Sequence, residues 1–371
     1  MEKKIAIVFG TRPEIIKLAS IIKYCEKNGI RFFTIHSGQH YSHAMDKVFF
    51  EQLRLPAPDY QLAIKSEAPF MQGHHTGAMM QEIEKILLKE KPSDVLVQGD
   101  TNTVLAGSLV TAKIRTVQQL VDFKPALGHV EACLRSYDNS MPEEMNRVIA
   151  DHVSDLLFAP TPDAKKNAVR ENIDKKKIFV TGNTVVDALK IVAQQVNESN
   201  AMQSLGLNEK QFALLTLHRQ ENVDVSRRLA SILKGIALFA RETGMKVIWP
   251  VHPRAKKMLA NFGISVPKEI KPVEPLGFIE FLSLEKNAAL VFTDSGGVQE
   301  EACVFGTPCI TLRENTERPE TVKIGANALA GCSAEAITAA AKKMLSRKRH
   351  WQQPFGNGKA GEKIMKIVLK G

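Results

Sequence analysis

The chain has 371 residues, 44% of them apolar and 24% charged, with a net charge of +10; this is the make-up of a globular protein of about two domains and excludes a disordered or fibrous one. Its five cysteines, at 25, 133, 303, 309 and 332, are scattered without a Cys-x-x-Cys pair, so neither a disulfide framework nor a cysteine zinc site is supported. The positive charge makes a small acidic ligand plausible, but the basic runs at 175–177 and 347–350 lack a supply of stacking aromatics, with four Tyr and two Trp in the chain, and no nucleic-acid partner is expected.

An apolar run at 5–9 opens the chain and stops at Gly10. It is too brief for a signal or membrane segment, so a cytoplasmic protein without a membrane partner is expected. Similar short runs follow at 32–36, 94–98, 116–120 and 156–159, and then at 178–180, 213–217, 246–251, 270–273, 290–293 and 309–312, separated by amphipathic helical stretches. Alternation of this kind predicts βαβ units and parallel sheets. The series restarts near Ile178 after the polar stretch 170–177, giving an α/β fold of two Rossmann-like doubly wound domains, 1–177 and 178–356, facing a central cleft. The tail 357–371 is too small for a domain and is expected to pack back on the first half.

Several strand ends carry chemistry-bearing residues. The first ends in Phe9-Gly10-Thr11-Arg12-Pro13-Glu14, with Pro13 placed for the first turn of a helix. Arg12 and Lys17 there suit a diphosphate, while a surface pair of Arg12 with Glu14 is the plainer reading. After 94–98, Asp100 is either a helix N-cap or a base. Glu131, bracketed by Val130 and Ala132, is a candidate buried acid or base, and Glu143 and Arg147, four apart, share a helix face as a salt bridge or as part of a site. In the second half His218 and His252 each follow a strand, as satisfied hydrogen-bond donors or as groups in the cleft. Histidines 40, 43, 74 and 75 show no metal-ligand spacing, and no metal is expected.

The stretch 293–301, Thr-Asp-Ser-Gly-Gly-Val-Gln-Glu-Glu, reads as strand, turn and helix. Ser295, Gly296 and Gly297 at the helix entrance leave amide donors for a phosphate. Glu301, one turn further on, can accept from a pair of ribose hydroxyls. The first strand is not followed by Gly-x-Gly-x-x-Gly, so a dinucleotide cofactor loses support.

Taken together, FGTRPE at 9–14, QGDTNT at 98–103, HVEACLR at 129–135, MPEEMNR at 141–147, TGNTVVDAL at 181–189, TLHRQEN at 216–222, PVHP at 250–253, TDSGGVQEE at 293–301 and TERPE at 316–320 resemble the non-hydrolysing UDP-N-acetylglucosamine 2-epimerases, in order over nearly the whole chain. The resemblance implies two Rossmann-like domains of the GT-B type, a homodimer, no cofactor, and interconversion of UDP-GlcNAc and UDP-ManNAc by anti elimination of UDP to 2-acetamidoglucal and syn re-addition. Carried over by motif, Asp100, Glu131 and Glu143 are the acid/base carboxylates, Arg147 orients Glu143, and His218 assists at the leaving phosphate. Arg12, Lys17, His252, Ser295, Gly296 and Gly297 line the UDP-sugar site with Glu301 at the ribose, Phe281 at the uracil and Arg318 on the substrate, while Gln39 and His40 match an allosteric UDP-GlcNAc site. Cys133 stands where the family commonly has glycine, and Gln98 where some members have histidine. A GT-B glycosyltransferase using a UDP-sugar donor and a non-catalytic nucleotide-sugar sensor are the alternatives.

Overall fold

A computed structural model describes residues 3–38, 43–64, 71–117, 119, 121–347 and 349–370. The chain divides into two compact units, Met1–Ile191 with Phe355–Gly371, and Val192–Pro354. Among the described residues no helix is long and apolar enough to cross a membrane.

The first unit is built on a seven-stranded parallel sheet: β1 (Lys4–Phe9), β2 (Arg31–His36), β3 (Tyr60–Gln61), β4 (Asp94–Gln98), β5 (Ala126–Val130), β6 (Leu156–Ala159) and β7 (Ile178–Val180), in the order β3-β2-β1-β4-β5-β6-β7. Ile5 through Phe9 are all fully buried, as a central parallel strand covered by helices on both faces requires. The helix Arg12–Lys27 starts with proline in its first turn and buries Ile15, Leu18, Ala19 and Ile22. The C-terminal helix Ala360–Val368 lies against it, and the amides of Ala360 and Gly361 donate to Asp187 at 3.1 and 3.0 Å, so the tail belongs to the first unit.

The second unit carries six parallel strands: β8 (Phe212–Thr216), β9 (Lys246–Pro250), β10 (Ile270–Val273), β11 (Leu290–Thr293), β12 (Cys309–Thr311) and β13 (Asn327–Leu329), ordered β10-β9-β8-β11-β12-β13. Its core joins Leu215, Trp249 and Phe292 from the sheet with Leu229, Ile236 and Phe239 from the helix Ser226–Thr243.

Two expectations change. The run 116–120 is not the strand after β4: the helix Asn102–Thr116 extends to its start, and the strand that pairs with β4 is Ala126–Val130. Ile178–Val180 does not open the second half but closes the first sheet, pairing with β6, because its connection through the helix Pro162–Arg170 is one more βα unit of the same series. The division between units therefore falls after Ile191.

Candidate active site

Each sheet grows outward in both directions from a central pair, and the loops leaving that pair diverge to open a crevice beyond the strands' carboxyl ends. In the first sheet the pair is β1 and β4; in the second it is β8 and β11. Arg12, Lys17, Asp100, His218, Ser295, Gly296, Gly297 and Glu301 follow these four strands, while Glu131, Glu143 and Arg147 follow β5 and His252 follows β9.

In the first unit the loop after β1 leads into the helix that carries Arg12 and Lys17. Arg12 is half-buried with its guanidinium carbon 5.8 Å from the centre of the Phe49 ring. Lys17 is buried, and its Nζ donates to Glu131 Oε2 at 2.5 Å; Gln98 Nε2 at the end of β4 donates to the same oxygen at 2.9 Å. Glu131 is thus not an isolated carboxylate in an apolar pocket but the anionic half of a buried ion pair. Its backbone is left-handed, with φ 63°, as is that of Cys133 at φ 71°. The loop is held in this shape by Asp151, whose two oxygens accept from the Cys133 amide at 3.2 and 3.0 Å and one of which accepts from Arg135 at 2.6 Å. Burial alone would push the Asp151 carboxyl upward, but His129 and Arg135 hold it below the ordinary range.

Asp100 is not the N-cap of the following helix. That place belongs to Thr101, whose hydroxyl accepts from the Val104 amide at 3.3 Å, and the Asp100 carboxylate instead accepts from Arg147 Nε and Nη2 at 3.2 and 2.5 Å. Arg147 also pairs with Glu144, three residues back, not with Glu143 at four. Glu144 is buried and accepts from the amides of Ser136 and Tyr137, a set of donors that draws its side chain inward. Glu143, in the first turn of the helix Pro142–Val153, stays half-exposed.

Glu14 is not a surface partner of Arg12. It is buried, accepting from the Gly10 amide at 2.9 Å, the Thr11 hydroxyl at 2.7 Å and the Thr101 hydroxyl at 2.8 Å, so it ties the loop after β1 to the loop after β4. Burial, only partly offset by these donors, raises its pKa to about 7. It lies inside the FGTRPE string and was readable there only as a surface charge, because nothing local shows that its donors come from elsewhere in the chain.

In the second unit Asp294, fully buried just after β11, organises the loop after β8. It accepts from the amides of His218 and Arg219, from His218 Nδ1 at 2.9 Å and from Asn222 at 3.3 Å. Burial works against this charge, but His218 and the amides hold the carboxyl below its usual value. The His252 ring, exposed after β9, sits with its centre 5.8 Å from that of His218, so the two strand-end histidines do come together. Ser295 stands at the N-cap position of the helix Gly296–Phe305 without a side-chain capping bond, and a Cβ on Gly296 would come within 3.8 Å of the Arg318 guanidinium carbon. Arg318, buried, ion-pairs with Glu300 from the same helix. Beside it Arg313 holds Glu317 with two bonds at 3.0 Å, and Glu317 is well below the usual carboxylate range because Arg313 outweighs its burial. Phe281 packs half-buried against the apolar cluster that includes Leu284, Val291 and Val298. Glu301 is half-exposed next to the fully buried Glu285, whose pKa burial and the Glu301 charge raise well above its ordinary value. Asp294, Arg313, Glu317 and Glu285 were not singled out by sequence, although Asp294 lies within the TDSGG string and Glu317 within the TERPE string. Gln39 and His40 lie outside the described residues.

Two parallel sheets, each presenting charged and glycine-rich loops at its switch point, define a two-domain Rossmann-like α/β protein of the GT-B type. Within that class the chain belongs to the UDP-N-acetylglucosamine 2-epimerase family, whose model matches residues 23–369. It is 52% identical to the UDP-N-acetylglucosamine 2-epimerase of Methanocaldococcus jannaschii, covering 99% of each chain, and 49% identical to that of Methanococcus maripaludis, covering 99% of this chain and 98% of the relative. The crystal structure of the M. jannaschii UDP-GlcNAc 2-epimerase in complex with UDP-GlcNAc and UDP is similar with a TM-score of 0.90 at 51% identity, over 99% of this chain and 100% of that one.

Proposed function

We propose that the chain interconverts UDP-N-acetylglucosamine and UDP-N-acetylmannosamine by eliminating and re-adding UDP. The C2 hydrogen of the sugar is not next to a carbonyl and is weakly acidic, so direct removal is prohibitive. When the C1–O bond to UDP breaks, the electron pair leaves with the phosphate and positive charge builds at C1; the C2 proton then passes to a carboxylate and a C1=C2 double bond forms. Return of a proton to the other face of C2, with UDP rejoining C1, gives the epimer. The net change consumes nothing and calls for no cofactor.

The observation that carries the reading is the pairing of Glu131 with Lys17 beside the Asp100–Arg147 pair, in a chain of this family. Such a site supplies carboxylates to move protons and cations to balance them. We assign Asp100, Glu131 and Glu143 to the sugar. Arg12, Ser295, Gly296 and Gly297 take the pyrophosphate, since the helix Gly296–Phe305 begins with uncovered amide donors and the positive end of its dipole. His218 assists at the leaving phosphate, Arg318 contacts the substrate, Glu301 accepts from the ribose and Phe281 faces the uracil. The product would feed the synthesis of glycans that contain N-acetylmannosamine or sugars made from it.

Incubation with UDP-N-acetylglucosamine alone, followed by separation of the nucleotide sugars, tests the proposal. Appearance of the C2 epimer without any acceptor supports it; turnover only on addition of an acceptor indicates a glycosyltransferase, and binding without turnover a sensor.

A further inference from the structure

The His129 ring is fully buried between two acceptors. Nδ1 lies 2.7 Å from Asp151 Oδ1 and Nε2 lies 2.7 Å from the carbonyl oxygen of Gly99. Neither partner is a donor: a peptide carbonyl has no proton, and Asp151, ion-paired with Arg135 and bonded by the Cys133 amide, is held as the carboxylate, below the ordinary range. Both ring nitrogens must therefore carry hydrogen. On that condition His129 and Arg135 match Asp151 and Glu171, with Arg135 joined to both carboxylates and the exposed ring of His152 3.3 Å from Glu171. A neutral ring would leave one nitrogen lone pair facing an acceptor inside the protein, an unmade buried hydrogen bond.

The two acceptors sit at different parts of the site. Gly99, with φ 82°, is gripped twice: its amide donates to Val130 at 3.0 Å and its carbonyl receives His129, which sets the direction of the next residue, Asp100. Asp151 holds the Cys133 amide and so the left-handed turn in which Glu131 stands. We propose that His129 is a positioning residue, held as a buried imidazolium, that fixes Asp100 and Glu131 relative to one another. In linking these two carboxylates to the chemistry, this inference rests on the proposed function; the charge state of the ring does not.

Two measurements test it. Protein labelled with 15N at histidine is observed by long-range 1H–15N correlation at about pH 8, where an ordinary histidine is neutral; the His129 signal is identified by sequential assignment. Both ring nitrogens should be protonated, and one bare nitrogen overturns the inference whether or not the protein has epimerase activity. The second measurement is kinetic. His129→Gln can satisfy only one of the two acceptors as donor, and kcat should fall about 10- to 100-fold, the scale of misplaced catalytic groups, with KM for UDP-N-acetylglucosamine and Kd for UDP changed by no more than a few-fold. An unchanged kcat in the folded variant, or a parallel loss of UDP binding, contradicts a positioning role. Should this variant not fold, Asp151→Asn, which keeps the shape of the carboxylate, carries the same kinetic expectation.

Discussion

Lys17 and Glu131 meet at 2.5 Å although 114 residues separate them, and both side chains are almost wholly enclosed. The pair joins the first turns of the helix after β1 to the loop after β5 and places an ammonium directly on the carboxylate assigned to the sugar. Removing either partner leaves a buried charge uncompensated, which typically destabilises by about 3–5 kcal/mol, while removing both is far milder. Lys17→Met and Glu131→Gln should each lower the urea midpoint, and the double variant should recover most of the loss. A double variant that is as unstable as the sum of the single ones would show that the two groups do not act as a pair.

Glu131→Gln should also lower kcat by about 100-fold or more, the range of a lost acid or base, with UDP affinity largely intact. Steady-state kinetics and calorimetric titration with UDP separate the two effects.

Glu143 and Glu144 should divide function from stability. Glu144 is buried in a network with Arg147 and the Ser136 and Tyr137 amides, so Glu144→Ala is expected to cost about 2–4 kcal/mol by leaving those donors unpaired. Glu143 is half-exposed, and Glu143→Gln should leave the unfolding curve within about 0.5 kcal/mol of the parent while reducing kcat. Equal stability losses in the two variants would contradict the division.

Cys133 has φ 71° at a fully buried position, a backbone region that only glycine enters without penalty. Relief of about 1–2 kcal/mol of strain should roughly cancel the greater chain entropy of glycine and the lost packing, so Cys133→Gly is expected to be near neutral in chemical denaturation. Cys133→Val, β-branched in the same conformation, should be strongly destabilised. Its family-typical glycine is thereby explained by backbone geometry.

Glu14 titrates near neutrality in the folded chain, raised from 4.5 to about 7 by burial. The folded state then binds more protons than the unfolded one between these values, so the stabilisation is fully present below about pH 4.5 and is lost as pH rises through about 7. A shift of this size corresponds to about 3 kcal/mol. Urea unfolding at about pH 5 and pH 8 spans most of that range, and the parent should lose about 2–3 kcal/mol more stability than Glu14→Gln; equal slopes in the two proteins would refute it.

Most strands were readable because parallel strands buried on both faces leave apolar runs bounded by turn residues, as at Leu290–Thr293. β5 escaped because Gly128 and His129 interrupt its run, and both have tertiary reasons. A Cβ on Gly128 would come within 2.6 Å of Leu96 Cδ2, and His129 serves Gly99 and Asp151. The short edge strands Tyr60–Gln61 and Asn327–Leu329 carry too little apolar pattern to be seen. In the site, residue types at strand ends were readable, but partners were not. Helical spacing pointed Arg147 at Glu143, whereas the amides of the 136–137 turn draw Glu144 inward to meet it. Long-range pairs such as Lys17 with Glu131 leave no local trace.

The central claim is that the sugar loses UDP and its C2 proton in the course of epimerisation, with carboxylates exchanging that proton with water. Incubation with UDP-N-acetylglucosamine in deuterium oxide, followed by proton NMR of the recovered nucleotide sugars, should show the C2 epimer together with loss of the C2 proton signal in both. Formation of the epimer with its original C2 hydrogen retained, or recovery of unchanged substrate, would contradict the account.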